Sequence, residues 1–143
     1  MEFELLEDIT RADLAFRVRG STLDELFFAA AQALSGIMLE QPGLVRRGRR
    51  VSISMRERDL DMLLYDFLQE FVFYKDAESL ILVPDSVKVS HNTEGYSINA
   101  VASGEQIDRG RHRFTVDIKS VTMHNLAVVR NDGYWSATVV LDV

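Results

Sequence analysis

Cysteine is absent from this chain, proline occurs only twice, and no apolar run approaches the roughly 20 residues a helix needs to cross a bilayer. The first absence excludes a disulfide framework, a thiolate metal centre and a cysteine nucleophile. Positive charge is also in short supply, with 16 Lys and Arg against 22 Asp and Glu and a net charge of -6. Broad electrostatic capture of nucleic acid needs a concentrated basic surface, so RNA contact is expected to be indirect at most. The opening Met1-Glu-Phe-Glu-Leu-Leu-Glu-Asp8 is acidic where a secretory signal begins basic, which points to a cytoplasmic protein with no membrane association.

What remains is the composition of an ordinary folded domain, with 47% hydrophobic and 27% charged residues in 143. That length buries a substantial core without staples. With no repeat, low-complexity tract or linker, residues 1–143 read as one domain, expected to be a monomer.

Periodicity then divides the chain. Residues 3 to 8 begin a short strand. From Ala12 to Arg19, the apolar Ala12, Leu14, Phe16 and Val18 alternate with polar positions, as in a half-buried strand. Successive strand side chains point to opposite sides, so Asp13, Arg17 and Arg19 leave the core face. Gly20 breaks the strand, and Thr22 with Glu25 has capping-box spacing. The helix begun there carries Leu23, Leu26, Phe27, Ala30, Ala31, Leu34, Ile37 and Met38 on an apolar stripe and ends before Pro42-Gly43. Arg46-Arg-Gly-Arg-Arg50 follows as a solvated connector, since short charge runs usually keep loops wet.

Val51, Ile53 and Met55 alternate as another strand, and Asp59 to Asp61 open a second helix whose core side carries Leu60, Leu63, Leu64, Phe67, Leu68, Phe71 and Val72. From Leu80 the period is two, through Val87 and Val89, then Tyr96, Ile98 and Ala100, then Phe114, Val116 and Ile118. The last run, Trp135, Ala137, Val139 and Leu141, places Asp142 on the opposite face. The fold class is therefore α+β: a single domain with an antiparallel or mixed β-sheet and two main α-helices packed on one face.

The familiar catalytic patterns are missing. The sequence has no phosphate-binding glycine loop, no nucleophile elbow and no histidine pair at metal-ligand spacing. His112, between two arginines, is expected at the surface, and His124 at a strand end or turn. Two carboxylates stand out. Asp13 lies in the first clear strand and Asp142 in the last, each opposite its strand's apolar residues, with the α-carboxylate of Val143 beyond. If those strands are neighbours, hard oxygen donors converge, and such donors suit Ca²⁺, Mn²⁺ or Mg²⁺ better than zinc.

The order and spacing of several segments resemble the archease family from end to end. They are Phe3-Glu-Leu-Leu-Glu-Asp8, Ala12-Asp13, Gly20-Ser-Thr-Leu-Asp-Glu-Leu26, Leu63-Leu-Tyr-Asp-Phe-Leu-Gln-Glu70, Gly104-Glu-Gln-Ile-Asp108, Lys119-Ser-Val-Thr-Met-His124 and Trp135-Ser-Ala-Thr-Val-Val-Leu-Asp142-Val143. The resemblance implies an accessory protein, not an enzyme. Its partner would be an RtcB-type RNA ligase of tRNA splicing or RNA repair, whose GTP-dependent guanylylation and multiple turnover it promotes. It also implies a divalent-metal site at Asp13 and Asp142, with Val143 a weaker ligand, and ligase or site-supporting contacts at Lys119 and His124. One departure is visible: the family's His-Thr-Ala-Asp is Ile9-Thr-Arg-Ala-Asp13 here, so any role of that histidine does not transfer. The competing expectation is a general protein-binding adaptor or chaperone-like module in which the carboxylates serve only solubility.

Overall fold

The computed structural model describes residues 3–6 and 13–143. Strands β1 (Glu4–Leu6) and β2 (Asp13–Gly20) lead into helix α1 (Leu23–Met38), then β3 (Arg49–Glu57) and helix α2 (Leu60–Glu78). Strands β4 (Leu80–Asn92), β5 (Gly95–Gln106), β6 (Ser120–Asn131) and β7 (Tyr134–Asp142) complete the chain. The strands divide into two antiparallel sheets, ordered β1-β2-β7-β6 and β3-β5-β4. The α+β class holds, with one refinement: both helices pack on both sheets. Ala12 and the Ile9–Ala12 motif lie outside the described residues.

Local chemistry explains the helices. At the start of α1, Thr22 is extended and its Oγ1 accepts the Glu25 N–H at 3.1 Å, while the Glu25 carboxylate accepts the Ser21 N–H at 2.7 Å. The predicted capping box thus forms with its return bond shifted by one residue. Ten residues of α1 are buried, four of them alanines, which is the signature of a helix enclosed on more than one side. Small side chains let it approach β2 and β7 of one sheet and β4 of the other. Phe67 joins α2 to α1, with its ring 6.1 Å from Phe27 and 5.3 Å from Phe71.

The helices also bond to strand backbones. Asp24 accepts the Val89 N–H of β4 at 2.7 Å, Asp61 accepts that of Val128 in β6 at 2.8 Å, and Gln69 accepts that of Val121 at 2.9 Å. Strands β4 and β6 each end a sheet, so these donors have no strand on the outer side to take them. Asp61 was expected to serve the helix dipole, and it holds the neighbouring sheet as well.

Three sequence expectations need correction. The alternating Phe114, Val116 and Ile118 do not form a strand: the segment bends at Thr115 and has a single bridge from Leu39 to Phe114. Its backbone instead meets the end of α1, through Thr115 N–H to Met38 O at 2.7 Å and Glu40 N–H to Arg113 O at 3.0 Å. Ile118 is buried all the same, so the alternation marked which side chains turn inward but not what the backbone pairs with.

His112 is buried rather than at the surface. Its Nδ1 accepts the Asp108 N–H at 2.9 Å, which leaves Nε2 to donate to Glu105 at 3.0 Å. Burial is tolerated because both ring nitrogens are satisfied. Finally, the arginine run is exposed throughout, as expected, but it is shorter as a connector than expected, since Arg49 and Arg50 already open β3, and Arg47 pairs with Asp85 and Arg49 with Glu78.

Candidate metal and partner site

Strands β2 and β7 run side by side for eight residue pairs, from Gly20 opposite Trp135 to Asp13 opposite Asp142. The two aspartates singled out by strand parity are therefore direct cross-strand neighbours. Side chains in this relation share a face, with Cβ atoms typically about 4.5–5.5 Å apart. The opposite faces of the two strands turn Phe16, Val18, Ala137, Val139 and Leu141 into the core. That burial fixes the register, because a slip of one residue would turn the apolar set to solvent.

The third strand adds an oxygen that the sequence did not reveal. Ser120 of β6 pairs with Asp142, so Asp13, Asp142 and Ser120 form one row across the sheet. All three are half-buried. In the adjacent row, Ala15 faces Val140 and both are buried, so the carboxylates border an apolar floor. Lys119 is exposed beside this row, and its backbone N–H donates to the Asp142 carbonyl at 2.8 Å. Val143 follows directly, half-buried and packed against the core.

His124 sits farther along β6, where the register breaks between Thr122 and Ala127. The break projects Met123, His124 and Asn125 into solvent, with Asn125 at a positive φ of 54°. Thr122 anchors the near side, its hydroxyl donating to Val140 O at 3.0 Å and accepting the His124 N–H at 3.2 Å. The bulge thus presents His124 outward beside Met123, which is 54% exposed. It does not bring His124 into the aspartate row.

Two facing carboxylates with a neighbouring hydroxyl are hard oxygen donors and fit Ca²⁺, Mn²⁺ or Mg²⁺. Among the described residues, no group of three or more His, Asp or Glu side chains stands close enough to hold an ion. The set is therefore partial, since Ca²⁺ takes six to eight oxygens, and further ligands would come from water or a partner.

The strongest charge contacts lie elsewhere and shape the segment leading to this site. Arg111 beside Glu105 holds that carboxyl well below its usual range, at about 2, against the opposing effect of burial, with further hydrogen bonds from the Arg46 backbone and His112. The Lys75 ammonium is buried, which alone would lower its pKa, yet Asp76 and Asp117 outweigh burial and raise it. The Lys75–Asp117 bond, 2.9 Å long, fastens the chain two residues before Lys119.

Comparison with known proteins agrees with this architecture. The model of the Archease protein family (MTH1598/TM1083) matches residues 3–143. The protein archease of Methanopyrus kandleri is 36% identical over 132 residues, covering 92% of this chain and 94% of that one. Its counterpart in Methanosarcina acetivorans is 34% identical over 143 residues, covering 99% and 96%. The solution structure of protein 1598 from Methanobacterium thermoautotrophicum superposes with a TM-score of 0.83 at 32% identity, covering 99% and 98%. A crystal structure of an archease from Thermotoga maritima, described as a possible chaperone, shares the fold with a TM-score of 0.64 at 15% identity, covering 96% and 97%. With its whole described length matched in sequence and in fold, the chain belongs to the archease family.

Proposed function

We propose that this protein is an accessory activator of an RtcB-type RNA ligase, promoting the ligase's GTP-dependent guanylylation and its repeated turnover, with no catalysis of its own. Family membership supports the partnership, and the direct pairing of Asp13 with Asp142 is the observation that carries the metal site. Asp13 and Asp142 would hold a divalent cation, with Ser120 and Val143 as weaker oxygen donors. When bound, the cation supplies positive charge that offsets nucleotide phosphate. The chain's own residues bind and orient: the rigid β2–β7 register sets the carboxylate spacing, while Lys119 and the His124 bulge offer exposed contacts to the ligase.

The test is a guanylylation time course of the cognate ligase in defined metal. Asp13→Ala and Asp142→Ala should fold yet fail to accelerate guanylylation, and full stimulation by both variants would remove the metal site from the mechanism. A second reading, a chaperone-like module that binds clients by shape, draws on the exposed Met123 beside half-buried Leu126. It expects the aspartate variants to retain full activity on partners other than an RNA ligase.

A further inference from the structure

The net charge of -6 conceals one sheet face that carries cations along its strands and has acids, Asp85 and Glu105, at one margin. Across the β3-β5-β4 sheet, alternate residues turn Val51, Ile53, Ile98, Ala100 and Ala102 toward the core. The other parity faces outward at positions 50 to 56 of β3, 97 to 101 of β5 and 86 to 92 of β4, while Ser103, of the same parity, is buried. Those eleven positions hold five serines, two asparagines, three cations (Arg50, Arg56 and Lys88) and Val101. No carboxylate and no aromatic ring lies among them. Registered rows cross the sheet as Arg56–Ser97–Ser90 and Ser54–Asn99–Lys88.

The three cations are exposed and have no ion-pair partner among the described residues. The nearby acids are already engaged: Asp85 takes Arg47 and the Ser103 hydroxyl, and Glu105 takes Arg111 and His112. The Ser54 hydroxyl donates to Asn99 Oδ1 at 2.8 Å, which leaves the Asn99 amide N–H groups as donors toward solvent.

We infer that this face contacts the sugar-phosphate backbone of double-helical RNA. Phosphate and ribose are recognised by Arg, Lys, Ser and Asn donors, which are the side chains present. The lack of an aromatic platform disfavours single strands, whose bases stack on such rings. A protein partner fits poorly, because interface centres are apolar and aromatic and this face has one valine. The wide, shallow minor groove of A-form RNA exposes 2′-hydroxyls that serine and asparagine can bond. The face extends about 20 Å along its strands, enough to set Arg50, Arg56 and Lys88 against separate phosphates.

This inference is independent of the aspartate pair and is tested without any ligase, so the two readings fail separately. Fluorescence anisotropy of a labelled RNA duplex of about 20 base pairs is measured against this protein as salt rises from about 50 to 200 mM. Three phosphate contacts predict a loss of affinity of about 40-fold over that range. Arg50→Gln/Arg56→Gln/Lys88→Gln should weaken binding at least about 10-fold and flatten the salt slope by up to about 3, whereas Arg130→Gln on the other sheet should not. The proposal is overturned by any of four results: absence of duplex binding at about 100 µM protein in low salt, unchanged binding by the triple variant, tighter binding of a single strand or a DNA duplex, or equal binding of a polyglutamate peptide.

Discussion

Replacing Asp142 with Asn should produce a crossover in stability that depends on the ion present. The carboxylates of Asp13 and Asp142 face each other in register, so in chelator their like charges oppose folding. At about 5 Å, Coulomb's law gives about 0.8 kcal/mol at the dielectric constant of water and about 3 kcal/mol at the value of about 20 suited to a protein surface. Measured cross-strand pairs fall at or below the lower figure, so about 1 kcal/mol is a reasonable expectation for half-buried, salt-screened groups. For a chain of 143 residues the unfolding entropy is about 0.3 kcal/mol/K, and relief of the repulsion should raise Tm by about 3 °C. With cation at about 100 times its Kd, the wild type instead gains about 2.7 kcal/mol, or about 9 °C, because only the folded pair binds the ion. Scanning calorimetry in chelator and then in millimolar Ca²⁺ or Mn²⁺ should show Asp142→Asn above the wild type in the first condition and below it in the second. Equal metal-induced shifts in the two proteins would refute the reasoning, as would a wild type insensitive to both cations.

Other expectations follow from single contacts. A Cβ at Gly104 would stand 1.7 Å from the carbonyl oxygen of Ile81, in backbone that cannot yield cheaply, so Gly104→Ala should cost at least about 3 kcal/mol in urea denaturation. Asp61→Ala strands the Val128 N–H and should cost about 1–3 kcal/mol, while Asp61→Asn, which keeps an acceptor, should restore most of it. Glu105 titrates at about 2 in the folded state against an ordinary value of 4.5, so its stabilising contribution is complete above pH 4.5 and is lost as pH falls from there toward 2. Acid unfolding of Glu105→Gln should accordingly be shallower than that of the wild type across that window.

Both helices were legible in the sequence because long apolar stripes at 3.6-residue spacing have few competing readings, and Thr22 and Glu25 marked where the first begins. The pairing of Asp13 with Asp142 was half legible. Parity assigned each to the face away from its own core residues, but the adjacency of β2 and β7 is a long-range fact that no local pattern encodes. Phe114 to Ile118 failed for the related reason that alternation reports burial and says nothing of a hydrogen-bonding neighbour, which here is the end of α1. Strand β6 was visible only through the Lys119–His124 motif, because the excursion between Thr122 and Ala127 breaks its period. Ser120 escaped notice since it joins the aspartate row only once β6 is laid against β7. His112 was misplaced because its flanking arginines set the local polarity, while its ring is satisfied by Asp108 and Glu105.

The acceptors that α1 and α2 extend to Val89, Val121 and Val128 bear on how this molecule meets its neighbours. An outermost strand with open donors is a template on which another chain can crystallise its own strand, the first step toward fibrils and swapped assemblies. Here Asp24, Asp61 and Gln69 occupy such donors on β4 and β6, so strand addition there would first have to displace a helix side chain. Among the described residues, β1 and β3, the opposite margins of the two sheets, carry no such helix acceptor.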